Sequence, residues 1–385
     1  MQRFIIKLLA VINSILKKNK NKVCFVSFPD FSDNCMSVFD YMVSNRLMKY
    51  EIVWLVNNLY VPKYVMELKK QYNIKVIKQK SFLGILNYMT SKYIFYTHGA
   101  FNGMECLNKQ IVVNLWHGMP LKNIGYLDNA TEDEVAHFTY AIATSQEFED
   151  VISKAFGVDK NKVLITGLPR NDRMNDFRNL LSKFGIDSNK YNKKILWMPT
   201  FRKSNMGDKR SDGLRKVSEL PLLSSSELED LNTYLYENKD LLIVKLHPMD
   251  SLDKMDFTKL SNIKVLINDD FKNIGEQLYS IFQEVDALIT DYSSVYFDFM
   301  LLNKPIGFIM DDLSEYSSSR GFVFKDIHKW IPGPIIKNVL ELHSFINQIN
   351  NNIDKFKNTR EKINNKTNKY LDFKSTERLF KKLDL

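Results

Sequence analysis

The chain of 385 residues lacks the usual sequence signatures of nucleotide and metal binding. It contains no Gly-x-x-x-x-Gly-Lys-Ser/Thr phosphate-binding loop and no Gly-x-Gly-x-x-Gly dinucleotide fingerprint. Its three cysteines are scattered, which excludes a disulfide framework and a cysteine-rich zinc site and indicates reduced thiols. No Cys/His cluster and no Asp-x-Asp pair points to a metal ion. We therefore expect no dedicated metal site and no cofactor, and the sequence leaves a metal requirement of the reaction open.

Long hydrophobic runs are also missing, so we expect no transmembrane helix, which needs about 20 apolar residues. The first 22 residues come nearest, because their apolar positions from Phe4 to Leu16 are bracketed by basic side chains. They lack the small-residue cleavage site of a secretory signal. Two interpretations of this segment remain open. It is either a basic amphipathic helix lying on an anionic bilayer or a first helix packed on the protein's own core.

The chain has an excess of positive charge, with a formal net charge of +9 and a pI of about 9.1. Hydrophobic residues make up 44% and charged residues 26%, as in soluble globular proteins. The charge favours an anionic partner, such as nucleic acid, a phosphorylated substrate or an acidic membrane face. Nucleic acid is disfavoured as a partner, because the aromatic residues lie inside apolar runs and are not interleaved with Lys and Arg.

Short β-rich runs alternate with helix-like stretches along the chain, which predicts βαβ units and mostly parallel sheets. At this length two domains are expected, and the strand pattern begins again near Lys194 after a polar passage. We therefore predict an α/β protein with two doubly wound halves and a cleft between them. The predicted segments are an N-terminal helix at 1–22, the two halves at 23–185 and 186–345, and a C-terminal helical segment at 346–385.

The segment from Leu288 to Ile306 carries the most information about function. An apolar strand ends there in a hydroxyl-rich turn, after which an amphipathic helix begins. The turn consists of Thr290, Asp291, Tyr292, Ser293 and Ser294. Such a turn can offer backbone N–H groups and hydroxyls to a phosphate, at the strand end where α/β sheets bind ligands. The serines can equally serve only as helix N-caps.

Other polar residues also follow predicted strands. They are His117 after Ile111–Leu115, Arg170 after Val163–Thr166, Thr200 and Arg202 after Ile195–Met198, and His247 after Leu241–Leu246. Carboxyl ends of parallel strands meet at one edge of a sheet, so two His and two Arg there would suit a diphosphate. A neutral His117 could also deprotonate an alcohol near pH 7. The structural alternatives are a His that only shapes a turn and an Arg170 in a surface ion pair.

Taken together, these segments resemble the CDP-glycerol glycerophosphotransferase family, the teichoic acid primases and polymerases of bacteria. The resemblance extends over residues 111–321. The matching motifs are Trp116-His-Gly-Met-Pro-Leu-Lys122, Gly167-Leu-Pro-Arg-Asn-Asp172, Pro199-Thr-Phe-Arg202, His247-Pro248, Thr290-Asp-Tyr-Ser-Ser294, Phe297-Asp298, Lys304-Pro305 and Arg320-Gly321. This chain departs from the family at Met119, where Thr is frequent, and the departure bears on the detail of the acceptor loop.

The resemblance implies a GT-B fold, in which a Rossmann-like acceptor domain and a Rossmann-like donor domain face a cleft. It implies that His117 is the base that activates the acceptor hydroxyl, in an acceptor loop that includes Trp116, Gly118 and Lys122. His247 is implied as a second catalytic residue. The implied donor and phosphate contacts are Arg170, Thr200, Arg202, His247, Thr290, Asp291, Ser293, Ser294 and Arg320. Of these, Arg170 has domain-junction structure as its alternative. Asp291 would repel a phosphate, so we expect it to orient His247 or to bind a sugar hydroxyl.

The implied activity is transfer of a polyol phosphate, with glycerol phosphate expected, from CDP-glycerol to a hydroxyl of a lipid-linked glycan acceptor. The acceptor lipid would be undecaprenyl diphosphate, and CMP would be released in the synthesis of teichoic acid or capsule polymer. The CDP-activated polyol is a co-substrate, so no cofactor is implied. The alternatives are CDP-ribitol as the donor and a GT-B glycosyltransferase that uses a nucleotide sugar. The implied location is the bacterial cytoplasm, at the inner face of the cell membrane.

Overall fold

The chain folds into two compact α/β units. The computed structural model describes residues 2–47, 49–200, 220–246, 257–319 and 321–385. The first unit comprises Met1–Met119, Ile124–Asn175 and Thr367–Leu385, and the second comprises Pro120–Asn123 and Asp176–Lys366. The chain thus passes to the second unit after Asn175, where the sequence predicted a boundary at 185. Its last residues return to the first unit.

A seven-stranded parallel sheet forms the centre of the first unit. Its strands are β1 Asn19–Val26, β2 Glu51–Val56, β3 Ile74–Lys78, β4 Ser91–Tyr96, β5 Ile111–Asn114, β6 Tyr140–Ala143 and β7 Val163–Ile165. They lie in the order β3-β2-β1-β4-β5-β6-β7. The strands are nearly continuous apolar runs because helices cover both faces of a parallel sheet. The order reverses between β1 and β4, which is the position where Rossmann-like sheets bind ligands.

Five α-helices precede or connect these strands. They are α1 Gln2–Ile15, α2 Asp33–Ser44, α3 Lys63–Gln71, α4 Phe82–Thr90 and α5 Gln146–Phe156. Helix α5 shows why the sequence folds in this way. The Ser145 side chain accepts a hydrogen bond from the Phe148 amide at its start, and Gly157 ends it at φ +62°.

The second unit repeats this architecture with six parallel strands. They are β8 Lys193–Met198, β9 Asp240–Lys245, β10 Ile263–Leu266, β11 Ala287–Thr290, β12 Ile306–Ile309 and β13 Ile335–Ile336. Their order is β10-β9-β8-β11-β12-β13. The prediction of an α/β protein with two doubly wound parallel sheets is therefore confirmed. The two-residue strand β13 was not predicted, because a run this short has no periodicity to detect.

The helices of the second unit are mostly short. They are α6 Ser225–Asn238, α7 Asn268–Ile274, α8 Val295–Phe299, α9 Leu313–Ser319, α10 Val339–Asn350 and α11 Lys357–Thr367. A last helix, α12 Ser375–Leu383, belongs to the first unit. Short 3₁₀ segments occur in both units, at Gly125–Asp128, Glu132–Glu134, Lys160–Lys162, Pro169–Asn175, Leu181–Phe184, Ser188–Lys190, Phe257–Lys259, Leu278–Glu284, Met300–Leu302 and Ile327–Trp330. The sequence also predicts a helix at Tyr279–Glu284, which the structure forms as a 3₁₀ segment.

Helix α1 rests on the first unit through polar contacts. Asn13 is fully buried, and its side-chain amide donates to the Met104 carbonyl and to the Gln110 side chain at 2.6 and 2.9 Å. Lys18 follows the helix and donates to the Met89 carbonyl at 2.8 Å. Two large apolar side chains of the helix, Ile6 and Leu9, are partly buried. The others are exposed, with exposed fractions between 38% and 75%, and they are Phe4, Ile5, Leu8, Val11, Ile12 and Ile15.

This arrangement bears on the two interpretations of the N-terminal segment, because most of the large apolar side chains of the helix face outward and only Ile6 and Leu9 are partly buried. Among the described residues, no helix has both the length and the apolarity required to cross a bilayer.

Asp172 joins the C-terminal helix to the first unit. Its carboxylate accepts hydrogen bonds from the Ser375 and Thr376 amides, each at 2.8 Å, and from the Thr376 hydroxyl at 2.7 Å. These amides belong to the first turn of α12, where backbone N–H groups have no partner within the helix. Gly167 permits the close approach, since a Cβ there would lie 2.5 Å from the Ser375 hydroxyl oxygen. Part of the Gly167–Asp172 motif therefore serves to dock α12.

We predict that Asp172→Ala lowers the free energy of unfolding of the first unit by about 1–3 kcal/mol, because it leaves three donors without their charged acceptor. The measurement is urea denaturation followed by circular dichroism. The matched control is Asp159→Ala, which removes an exposed aspartate that forms no cap hydrogen bond. An Asp172 variant as stable as this control would contradict the docking role.

Candidate active site

His117 lies in a sharply turned loop after strand β5. Two residues of this loop have positive φ angles, namely Trp116 at +51° and Gly118 at +128°. A left-handed conformation is unfavourable for a bulky residue and is retained only where the surroundings enforce it. The Asn114 side chain does so in part, because its Oδ1 accepts from the Trp116 amide at 3.0 Å. The strand end and this turn together fix the position of the imidazole.

The His117 imidazole is held between two aromatic rings. The His98 ring is nearly parallel to it, with a centroid distance of 4.0 Å and an interplanar angle of 12°. The Trp116 ring stacks at 4.4 Å and 29°. Two rings this close and this parallel cannot share one face of an imidazole, so each covers a different face. The ring edge, which carries the nitrogens, is left for hydrogen bonding.

One nitrogen of His117 is already engaged. Its Nδ1 lies 3.3 Å from the carbonyl oxygen of Thr97, which is completely buried. A carbonyl can only accept a hydrogen bond, so Nδ1 carries the proton and Nε2 has the lone pair. A neutral histidine in this tautomer has the form that a general base requires.

Burial lowers the pKa of His117 below its usual value. The Asp33 carboxylate and the Thr97 carbonyl act in the opposite direction, and the Arg170 guanidinium lowers the pKa further. The net direction is downward, because desolvation of the imidazolium outweighs the nearby negative charge. His117 is therefore neutral at pH 7 and able to accept a proton.

Arg170 supports the backbone of the His117 loop through a hydrogen bond. Its Nη1 donates to Asp33 Oδ1 and to the His117 carbonyl oxygen, each at 3.0 Å, and the residue is 6% exposed. Its backbone amide donates to Asn34 Oδ1 at 3.0 Å. The sequence left a phosphate contact, domain-junction structure and a surface ion pair open for Arg170. The structure shows an ion pair, but a buried one that includes the His117 loop.

The acceptor loop predicted from the sequence divides between the two units. Trp116, His117 and Gly118 belong to the first unit, whereas Lys122 belongs to the second. There Lys122 forms an isolated antiparallel bridge with Phe322, and its ammonium lies 5.4 Å from the centre of the Tyr316 ring. The structure does not bring Lys122 and the other predicted loop residues together within one unit.

Asp291 organises the turn after strand β11 in the second unit. It is 1% exposed and accepts from the Thr200 amide at 3.0 and 3.2 Å and from the Thr200 hydroxyl at 2.8 Å. Thr290 is completely buried, and its hydroxyl donates to the Met198 carbonyl at 2.9 Å. These contacts tie the ends of the neighbouring strands β8 and β11 together. The hydroxyls of Thr290 and Thr200 thus have partners inside the protein.

The serines that follow are more accessible. Ser293 and Ser294 are partly exposed at the start of α8. Ser293 Oγ accepts from the Val295 amide at 3.4 Å, and Ser294 occupies the N-cap position without a side-chain cap hydrogen bond. Lys245, at the end of β9, is buried, and its ammonium donates to the Leu246 carbonyl and to Asn268 Oδ1. Burial lowers the pKa of Lys245 to about 8.

Three predicted site residues, Arg202, His247 and Arg320, lie outside the described residues. In the ranges that the structure does describe, no three His, Cys, Asp or Glu side chains form a group that could hold a metal ion.

Sequence reasoning missed His98 and Asp33 as neighbours of His117. A signal for His98 was present, because it follows the apolar strand β4 just as His117 follows β5. Asp33 was not singled out in the sequence, although it begins α2 with a φ of +58°.

Comparison with known proteins gives one family over almost the whole chain. The model of the CDP-glycerol:poly(glycerophosphate) glycerophosphotransferase family matches residues 8–384. The teichoic acid glycerol-phosphate transferase of Staphylococcus aureus is 26% identical over 362 residues, which cover 88% of this chain and 86% of that protein. The teichoic acid glycerol-phosphate primase of Bacillus subtilis is 29% identical over 310 residues, covering 76% and 73%.

A solved structure agrees with the fold. The wall teichoic acid polymerase TagF superposes with a TM-score of 0.76 at 20% identity, over 98% of this chain and 92% of that one. The fold is of GT-B type, with two Rossmann-like units.

We predict that the His117 ring titrates below the usual histidine pKa of about 6.5. The measurement is a pH series of ¹⁵N–¹H NMR spectra of the ring nitrogens, with His117→Gln to assign the signal. Asp33→Asn should move the titration to still lower pH, because it removes the carboxylate that favours the imidazolium. A midpoint above 6.5 in the unmodified protein would contradict the neutral-base assignment.

Proposed function

The chain belongs to the CDP-glycerol:poly(glycerophosphate) glycerophosphotransferase family, and we propose that it transfers glycerol phosphate from CDP-glycerol to a hydroxyl of a lipid-linked acceptor. The observation that carries the proposal is the environment of His117. Its Nδ1 lies against the Thr97 carbonyl and its ring lies between Trp116 and His98. A neutral imidazole with a free Nε2 lone pair is suited to deprotonate an alcohol.

In the proposed reaction, Nε2 of His117 takes the proton of the acceptor hydroxyl as its oxygen attacks the phosphorus that bears the glycerol. A new oxygen–phosphorus bond forms, and the bond from that phosphorus to the bridging oxygen breaks. CMP leaves with the bridging oxygen and the bonding electron pair. His117 then returns its proton to solvent. Phosphoryl transfer of this kind depends mainly on positioning and on stabilising charge on the phosphate oxygens.

Arg170 is assigned a positioning role in this proposal. Its Nη1 donates both to Asp33 and to the carbonyl of His117 itself, so the guanidinium supports the loop that carries the base. A residue that is 6% exposed and ion-paired is poorly placed to clamp a mobile diphosphate. The buried pair also limits the positive charge next to the imidazole, which would otherwise depress its basicity further.

We assign the CDP-glycerol diphosphate to the second unit, at the carboxyl edge of its sheet. The partly exposed hydroxyls of Ser293 and Ser294 follow β11 at this edge. Asp291 and Thr290 support this edge through their hydrogen bonds to Thr200 and Met198. Arg202, His247 and Arg320 are proposed to complete the donor site on the basis of the family motifs.

The membrane enters the proposal through helix α1. The exposed apolar positions 4, 8, 11 and 15 recur at helical spacing and so lie along one side of the helix. Lys7, Lys17 and Lys20 are exposed on or beside the same helix. An amphipathic helix with basic residues suits the anionic inner face of a bacterial membrane, where a lipid-linked acceptor resides.

We expect that the protein releases CMP from CDP-glycerol in the presence of a lipid-linked acceptor, and that His117→Ala lowers this rate by about 10²–10⁴-fold. CDP-glycerol affinity, measured by calorimetry, should stay within about twofold, because a base acts on the acceptor. His328→Ala, at an exposed histidine of the second unit, is the matched control.

CDP-ribitol and UDP-sugars are tested in parallel. Release of UDP alone, or loss of CDP-glycerol binding in the His117 variant with folding intact, would refute the proposal.

We also expect that a Leu8→Glu/Val11→Glu double variant binds anionic vesicles at least about tenfold more weakly than the unmodified protein. Both side chains are more than half exposed, so folding should be retained. The assay is co-sedimentation with vesicles of phosphatidylcholine and phosphatidylglycerol. Leu340→Glu is the matched control, since Leu340 is 81% exposed in the second unit. Equal vesicle binding of the double variant and this control would rule out α1 as the membrane contact.

A further inference from the structure

His98 lies beside the proposed base because strands β4 and β5 are neighbours in the sheet. It follows β4 by two residues, as His117 follows the end of β5 by three. The two rings stack at 4.0 Å and 12°, closer and more nearly parallel than the stack of His117 on Trp116. The family motifs recognised in the sequence include His117 but not His98.

A single residue fixes both imidazoles. The carbonyl of Thr97 accepts from His117 Nδ1, and the hydroxyl of Thr97 lies 2.9 Å from His98 Nδ1. The Phe28 amide donates to this hydroxyl at 3.4 Å, which leaves the hydroxyl proton available to His98. The Phe28 ring meets the His98 ring edge-on at 5.7 Å and 72°. The His98 ring is therefore itself held in place and can hold a neighbour.

His98 also borders a cavity in the first unit. This cavity of about 660 Å³ is lined by His98 together with side chains that include Ile6, Leu9, Phe28 and Met104. His117 does not line this cavity. Replacing His98 with a small residue would uncover the face of the His117 ring on which His98 stacks. The cavity would then extend to that face and admit water.

We propose that His98 is a positioning residue for the transfer reaction, whose ring holds the His117 imidazole against Trp116 and keeps water from its second face. This inference rests on the proposed role of His117 as the base. It assigns no proton transfer to His98. The ring acts by shape and contact, so another flat ring should replace it, whereas a polar side chain without a ring should not.

Replacing His98 leaves the charged groups that face His117 unchanged. They are Asp33, which begins α2, and Arg170, from the 3₁₀ segment after β7. The Thr97 carbonyl is the remaining polar neighbour that affects its pKa. Since burial is the largest influence and lowers the pKa, admitting water should move the titration of His117 upward.

The test compares His98→Ala, His98→Asn and His98→Phe, with His328→Ala as the matched control. We expect His98→Ala and His98→Asn to lower kcat by about 10- to 100-fold, because a base that reorients loses its alignment with the acceptor hydroxyl. KM for CDP-glycerol should stay within about twofold. The acidic limb of the kcat/KM profile should move to higher pH. His98→Phe should restore kcat to within about threefold and restore the pH profile.

A substrate-free measurement separates this inference from the proposed function. The chain has six histidines, so the ring signals of His117 can be followed by NMR in each variant. His117 should titrate at higher pH in His98→Ala and His98→Asn than in the unmodified protein and in His98→Phe. This result would support the positioning role even if CDP-glycerol proved not to be a substrate. Folding is checked for each variant by its thermal unfolding midpoint.

Two results would overturn the inference. One is an unchanged His117 titration and an unchanged kcat in His98→Ala, which would make the stack incidental. The other is rescue by Asn together with failure of Phe, which would show that His98 acts through its nitrogens and not through its ring.

Discussion

The first unit depends on one buried ion pair, between Arg170 and Asp33, at the carboxyl edge of its sheet. The pair joins the start of α2 to the segment after β7, and Arg170 also donates to the carbonyl of His117. Removing one partner of a buried pair commonly costs 3–5 kcal/mol, roughly, because a charge is left without compensation. Asn34 extends the network by donating to the Leu115 and Trp116 carbonyls. This network supplies the constraint under which Trp116 retains its unfavourable φ angle.

The same network sets the chemistry of His117. Burial alone would depress the basicity of an imidazole strongly, and a free Arg170 nearby would depress it more. Asp33 neutralises that guanidinium and acts in the opposite direction on the histidine. Stacking on two rings then fixes orientation without adding a further charge-assisted partner. The result is an imidazole that is neutral at physiological pH and held in one tautomer, in which Nδ1 contacts the Thr97 carbonyl and Nε2 carries the lone pair.

The sequence predicted those features that depend on local pattern. Apolar runs gave the main strands, and the polar residues after them are found at strand ends, as at His117 and Thr200. The sequence could not predict contacts between distant residues, because these depend on which strands are neighbours in the sheet. His98 contacts His117 only because β4 and β5 pair, and Asp172 caps a helix whose first amide is 203 positions away.

Helix α4 was missed because Gly84, a poor helix former, lies within it. A Cβ at Gly84 would approach the Gln79 carbonyl oxygen to 2.3 Å, a close contact that no local pattern reveals.

Helix α1 exposes more apolar surface than a surface helix usually does, since only Ile6 and Leu9 of its large apolar side chains are partly buried. Here the completely buried side chain is Asn13, with two hydrogen bonds from its amide, while Phe4 and Ile15 are 73% and 75% exposed. Exposed apolar area costs roughly 25 cal/mol per Å² relative to burial, so this arrangement forgoes stability in water. The polar anchor fixes the rotation of the helix and so dictates which side faces outward. An apolar face held outward by specific hydrogen bonds is suited to a nonaqueous surface. When such a surface covers the apolar side chains, the stability that their exposure to water costs is regained.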